Sequence, residues 1–193
     1  MQRADIVQAA AQIFRRKGYH AASMQDIANA VGLQKASLYH HFASKQDILL
    51  EILDQALDLL IRDMQAIVDA DRSPETKLRQ ALASYIDRVT HQADLAAVLQ
   101  LEHRSLEPRK RARHITRRDR YDALWRTLIR QGIEAGVFRR ADETIVAFAL
   151  LGVQNWMITW FRPDGRLKPN EIAEQFADLM LNGLLVEKAA RSR

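Results

Sequence analysis

The sequence predicts an all-α protein of nine helices, and three observations predict it. Every long apolar segment repeats at the helical period, none alternates as a half-buried strand would, and glycines, prolines and short polar caps stand at the segment ends. The first helix runs Asp5–Lys17 with Ile6, Ala10, Ile13 and Phe14 on its buried face, and Gly18 stops it. The second starts at Ser23, which with Asp26 three residues on forms a capping-box variant. Met24, Ile27, Ala28 and Val31 make its stripe, and Gly32 ends it because only glycine turns left-handed without steric cost. The third, about Lys35 to Phe42, buries Leu38 and Phe42.

Ser44 and Asp47 form a second capping box ahead of a long, wide-faced fourth helix, Lys45 to about Val68. No Gly/Pro/Ser linker follows it, so this helix is expected to join the two domains, residues 1–46 and 47–193, and to transmit movement between them. A fifth helix follows Ser73-Pro74-Glu75 and runs to about Thr90, and a sixth spans about Ala93 to Arg104. A seventh runs Pro108–Ala135 up to Gly136, an eighth Asp142–Phe161, and a ninth Pro169–Glu187 after the Arg162-Pro163-Asp164-Gly165 turn. A short basic tail carries Arg191 and Arg193.

Composition bounds the function. At 193 residues and 48% hydrophobic the chain can bury a real core. Without cysteine it has no disulfide scaffold, thiolate zinc site or cysteine nucleophile, and it suits a reducing compartment. The N-terminus lacks the apolar region of a signal peptide, and the most apolar run, Ile145–Phe161, is short and interrupted by Gln154 and Asn155. A cytoplasmic protein with no membrane partner is expected. The net charge of +5 is uneven: residues 1–50 carry six cations against three carboxylates, and residues 103–120 carry eight against two. Such a dense second cluster strains a fold unless an anion or the acidic remainder of the chain compensates.

The third helix has the chemistry of a nucleic-acid reader. Small Ala28, the turn at Gly32 and apolar Leu38 have the relative spacing of a helix-turn-helix. Lys35, Ser37, Tyr39, His40 and His41 then face elsewhere, where an ammonium, hydroxyls and imidazoles can donate to phosphates or base edges in a major groove. Two ordinary surface helices are the bland alternative.

The stretch GYHAASMQDIANAVGLQKASLYHHFASKQDIL, Gly18 to Leu49, resembles the DNA-binding domain of the TetR family of bacterial transcriptional regulators, with LYHHF followed by SK its most specific part. The resemblance implies a nine-helix architecture, a three-helix DNA-binding domain over 1–46, and a ligand-binding and dimerisation domain over 47–193. It implies phosphate contacts from Tyr39, His41 and Lys45 and base reading from Gln34, Lys35, Ala36 and His40. Ser23 and Ser37 are further DNA-binding candidates of the helix pair itself. Gln34 stands where the family more often has a capping serine, which leaves its amide available to read adenine. The resemblance further implies a homodimer through a four-helix bundle of the last two helices, consistent with the apolar eighth helix and with Ile172, Phe176, Leu179, Met180, Gly183 and Leu184 on the ninth. Gly152 and Gly183 would allow close approach. A monomer that buries both helices is the alternative.

The C-terminal half, Arg113 to Leu185, with RRDRYDALWRTLIRQGIEAGVFR, LLGVQNW and WFRPDG, is similar to the TetR branch that represses lipid and steroid catabolism and answers to acyl-CoA thioesters. Such a ligand needs an apolar slot and cations for its phosphates. Candidates for the slot are Tyr85, Val89, Leu99, Tyr121, Trp125, Leu128, Phe148, Leu151, Trp156, Met157 and Trp160, with Asn155 for the thioester carbonyl. Candidates for the phosphates are Arg109, Arg113, Arg117, Arg118, Arg120 and Arg162. Reversal of Arg117 and Arg118 to glutamate is expected to abolish ligand release and leave operator affinity intact. The competing readings are core aromatics and a solvated arginine face.

Taken together, the expectation is a dimeric repressor that binds an operator in double-stranded DNA and is released by a small hydrophobic effector, an acyl-CoA or else an uncharged aromatic or lipophilic compound. No cofactor or metal is expected, because the six histidines show no HExxH spacing and no nucleophile elbow appears. The readings from other classes are an acyl-CoA enzyme and a ligand-independent architectural DNA-binding protein; the latter would bind without sequence preference.

Overall fold

The computed structural model describes residues 2–185, in which nine α-helices succeed one another without a strand. They are α1 (Arg3–Lys17), α2 (Met24–Ala30), α3 (Lys35–His41), α4 (Lys45–Asp69), α5 (Pro74–His91), α6 (Ala93–Leu101), α7 (Pro108–Glu134), α8 (Glu143–Trp160) and α9 (Pro169–Leu184). The residues fall into two compact units. One takes the chain as far as Leu60 together with His91–Arg120, and the other takes Ile61–Thr90 together with the residues from Tyr121 on. The α4 and α7 helices each contribute residues to both.

In the first unit α1 packs on α2 and α6, and α2 packs on α3. The apolar stripes supply its core: Ile6, Ala10, Phe14, Ile27, Ala28, Leu38 and Phe42 are buried, with Ile48, Leu49, Ile52 and Leu53 from α4. Met24 is buried and Val31 half-buried, so the predicted α2 stripe holds. Gly18 and Gly32 have φ of 79° and 65°, the left-handed region that their stop roles require. The expected sixth helix is shorter than its periodicity suggests. It ends at Leu101, and His103–Ser105 tightens into a single 3-10 turn, because the Glu102 carboxylate is drawn to the Tyr19 N–H, 3.0 Å away.

In the second unit Leu78, Leu82, Ile86, Trp125, Leu128, Ile129, Leu150, Met157, Ile172 and Leu181 form the core. The α7 helix closes on Phe138, whose ring lies so near Gly132 that an added Cβ would sit 2.0 Å from it. Phe138 then pairs with Leu185 in an isolated bridge, and the Arg139 N–H donates to the Leu184 carbonyl at 2.7 Å, which ends α9. The expected end of the ninth helix at Glu187 and the basic tail lie outside the described residues. Among the described residues no helix is long and apolar enough to cross a membrane.

Candidate functional site

The α2–α3 pair is set by its caps. The Ser23 hydroxyl accepts from the Asp26 N–H at 3.1 Å, and the Asp26 carboxylate accepts from the Ser23 N–H at 2.9 Å and the Ser23 hydroxyl at 2.8 Å. Lys17 adds an ion pair at 2.8 Å, and this ammonium, with Ser23, holds the Asp26 carboxyl well below the usual carboxylate range. Ser23 is exposed, yet its hydrogen-bonding capacity is largely committed to the cap.

The α3 helix buries Leu38 completely and presents Gln34, Lys35, Ala36, Tyr39 and His40 to solvent, with Ser37 and His41 half-exposed. Gln34 is the N-cap residue, and its side chain makes no capping bond, as the departure from serine anticipated. Tyr39 is 46% exposed, unusual for a large aromatic in a packed domain.

Lys45 is placed differently from the other candidates. Its Nζ donates to the carbonyls of Tyr19 at 2.8 Å, Ala22 at 2.6 Å and His20 at 3.4 Å, and it lies 4.3 Å from the Tyr19 ring centroid. An ammonium has three protons, and here all three are directed at the turn between α1 and α2. Desolvation pushes its pKa down. Lys45 therefore staples that turn to the start of α4. The Ser44 cap forms as expected, with its hydroxyl donating to Asp47 at 2.6 Å.

Part of the basic cluster on α7 is answered from within its own unit. Lys110 pairs with Asp47 at 3.0 Å, Arg113 with Asp54 at 2.8 Å, and Arg117 with Asp54 at 3.2 Å and also with Asp58. Arg111 donates to the Arg104 and Leu106 carbonyls. Of the two compensations open to the sequence, the acidic one is present for these residues, as Asp47, Asp54 and Asp58 of α4. Arg117 is therefore not available for the reversal test as first expected, since glutamate there would face Asp54 and Asp58. Arg109 and Arg120 are exposed and make no ion pair among the described residues, and Arg118 reaches only Asp119, at 3.9 Å. Beneath this face His114 stacks on His103 with centroids 6.2 Å apart, and burial with neighbouring cations lowers the His114 pKa to about 4.

The apolar candidates divide. Tyr85, Val89, Tyr121, Trp125, Leu128, Leu151 and Met157 are buried in the second unit, and the Tyr85 hydroxyl donates to Asn155 Oδ1 at 3.1 Å. Leu99 is buried in the first unit. Phe148 (56% exposed), Trp156 (66%) and Trp160 (42%) lie on the opposite face of α8, outside that core, because the 3.6-residue period sends them away from Leu150, Leu151 and Met157. With Ile145 they make an exposed apolar stripe, next to which Gly152 has no neighbour that an added Cβ would meet, and Leu179 of α9 is exposed as well. Arg162 borders a shallow pocket of about 210 Å³ with Trp160, Phe161, Arg166 and Ile172.

One residue was missed. Gln154 is fully buried, and neither its amide oxygen nor its nitrogen has a hydrogen-bond partner. Its sign in the sequence is a glutamine that interrupts the apolar run of α8.

Residues 6–52 match the bacterial regulatory proteins of the tetR family, and residues 71–184 match the tetracyclin repressor-like C-terminal domain. The chain is 29% identical over 188 residues to the HTH-type transcriptional repressor KstR2 of Mycobacterium tuberculosis, covering 96% of this chain and 94% of that protein. It is 39% identical to the TetR family transcriptional regulator PfmR from Thermus thermophilus, with a TM-score of 0.86 over 92% of this chain and 97% of that one. AibR, solved in complex with isovaleryl coenzyme A and operator DNA, is 31% identical, with a TM-score of 0.85 over 92% and 96% of the two chains. With both of its parts matched and the helix-turn-helix in place, this chain belongs to the TetR family of bacterial transcriptional regulators.

Proposed function

We propose that the protein is a homodimeric repressor whose residues 1–46 bind an operator and whose residues 47–193 bind the effector and dimerise. The observation that carries the DNA reading is α3: Leu38 and the α2 packing fix the helix, while Gln34, Lys35, Ala36, Tyr39 and His40 project from it unspent. Gln34 and Lys35 read base edges, Tyr39 and His41 contact phosphates, and Lys45 acts by holding the α1–α2 turn. The exposed stripe of Ile145, Phe148, Trp156 and Trp160 supports dimerisation, since apolar patches of this kind mark interfaces. A two-fold dimer places a pair of recognition helices in major grooves one turn, about 34 Å, or a multiple of it apart.

The effector is a small hydrophobic molecule, most simply an acyl-CoA thioester, because a relative of similar fold is known with isovaleryl coenzyme A. The buried aromatics of the second unit accommodate the acyl part. Arg109, Arg118, Arg120 and Arg162 are the cations best able to meet phosphates. Binding shifts the population toward a form with low operator affinity, and a hundredfold loss of occupancy requires a preference of about 2.7 kcal/mol. A specific observation keeps the second reading, an uncharged lipophilic effector: Lys110, Arg113 and Arg117 are already paired with carboxylates.

A gel shift on the upstream DNA of the protein's own gene, titrated with acyl-CoAs, the free acids and CoA alone, tests both. Release by thioesters only is the expected result. Release by the free acids or by CoA alone at the same concentration would count against the thioester reading, and failure to retard that DNA at all would count against the operator assignment.

A further inference from the structure

We infer that Gln154 is the polar recognition point of the effector site, and that it hydrogen-bonds a neutral oxygen- or nitrogen-bearing group on the buried part of the ligand. The inference deepens the effector reading and rests on it. On α8 the residues that face the core are Ala147, Leu150, Leu151, Gln154 and Met157, a stripe at helical spacing with an amide in its middle. Gln154 is 0% exposed, and both its Oε1 and its Nε2 are without a partner. An amide in such a place forfeits hydrogen bonds to water and gains none from the protein. A chain whose only requirement was a stable core would place leucine or methionine here, as its neighbours do.

Other groups of the same unit bear on what the amide could take. One residue further on, Asn155 is engaged by the Tyr85 hydroxyl, so Gln154 is not needed to tie α5 to α8. In the same unit Trp125 is 0% exposed and meets Tyr121 edge-on at 6.4 Å between ring centroids. Burial raises the Tyr121 pKa well above its ordinary value against the opposing pull of the Trp125 indole, so its hydroxyl stays protonated. Among the described residues of the unit, the Gln154 amide thus offers an unspent acceptor, its Oε1, and an unspent donor, its Nε2. The one buried cation of the unit named among the described residues, Lys77, is spent on the Val68 carbonyl at 2.7 Å and on Gln131 at 3.0 Å. A buried carboxylate would find no counter-charge there, and a plain hydrocarbon would leave the amide orphaned. A thioester or ketone carbonyl, a hydroxyl or an amide satisfies the site.

The test compares the wild type with Gln154→Met, which keeps the length and removes the polar atoms, and with Gln154→Leu as a second apolar variant. Without ligand, both variants are expected to melt higher than wild type, by roughly 4 °C, because an unpaired amide leaves the core. Operator affinity is expected to be unchanged. Release from operator DNA is then titrated with isovaleryl-CoA, octanoyl-CoA and oleoyl-CoA. For whichever of these releases the wild type, the half-release concentration is expected to rise at least tenfold in both variants. Equal release of variant and wild type, or a lower melting temperature in both variants, overturns the inference and leaves the effector reading standing. A wild type that answers to none of the three overturns the CoA-thioester reading and this inference with it.

Discussion

Tyr39 shows how much one side chain can be asked to do. It is exposed on a helix whose apolar neighbours Leu38 and Phe42 are buried, so its hydroxyl is free to meet a phosphate. Tyr39→Phe is expected to weaken operator binding about three- to tenfold on every sequence tested, whereas Gln34→Ala is expected to change which base pair is preferred at one position of each half-site; binding assays across a set of operator variants distinguish the two effects. Stability has its own sensitive residue. A methyl at Gly132 would meet Phe138 at a distance no pair of carbons tolerates, so Gly132→Ala is expected to cost about 1–3 kcal/mol, read from the urea midpoint. The exposure of Tyr39 and Gln34 was legible in the sequence, because the apolar stripe of a short helix leaves its other positions to solvent. Gly132 was not, because its role depends on the Phe138 ring, which folds back over α7.

At the scale of elements, α4 and α7 meet through alternating charges in the first unit. Arg117→Glu would set a third carboxylate beside Asp54 and Asp58, and Asp54 is buried with its pKa already raised by desolvation. The expected loss is about 1–3 kcal/mol of stability together with weaker operator binding, while Arg109→Glu, at an exposed and unpaired position, is expected to leave stability within about 0.5 kcal/mol of wild type. Thermal melts of the two variants check this directly.

The His103–His114 stack adds a pH dependence. His114 has a folded pKa of about 4 against an ordinary 6.5, so protonation favours the unfolded chain. Its contribution is complete above pH 6.5, is lost as the pH falls from 6.5 toward about 4, and is constant below that. Over this window the wild type is expected to lose up to about 1.4 kcal/mol per pH unit relative to His114→Gln, measured by urea unfolding at a series of pH values. The arginine cluster was evident in the sequence, but its partners were not. Residues 47, 54 and 58 share one edge of α4, and nothing in the spacing of the chain says that α7 lies along that edge rather than leaving its charges for a ligand.

For the molecule as a whole, the proposed homodimer rests on the exposed apolar stripe of α8. Trp156→Glu or Phe148→Glu is expected to yield a monomer in sedimentation and to reduce operator affinity by at least roughly tenfold, since a single recognition helix reads too few base pairs. A variant that remained dimeric and bound DNA normally would move the interface elsewhere.

The sequence by itself determined the helical class, the helix-turn-helix with its caps and stops, and which face of each helix carries apolar residues. Those properties follow from i to i+4 spacing and from local backbone preferences, which act over a few residues and need no tertiary partner. Only the tertiary structure decided that Lys45 turns inward to three carbonyls, that Arg113 and Arg117 of α7 are already answered by α4, that Phe148, Trp156 and Trp160 face away from the core that Trp125 occupies, and that Gln154 is buried without a partner. These depend on which apolar face meets which, and on where a charge or amide finds its nearest complement. Both are settled by packing between segments dozens of residues apart.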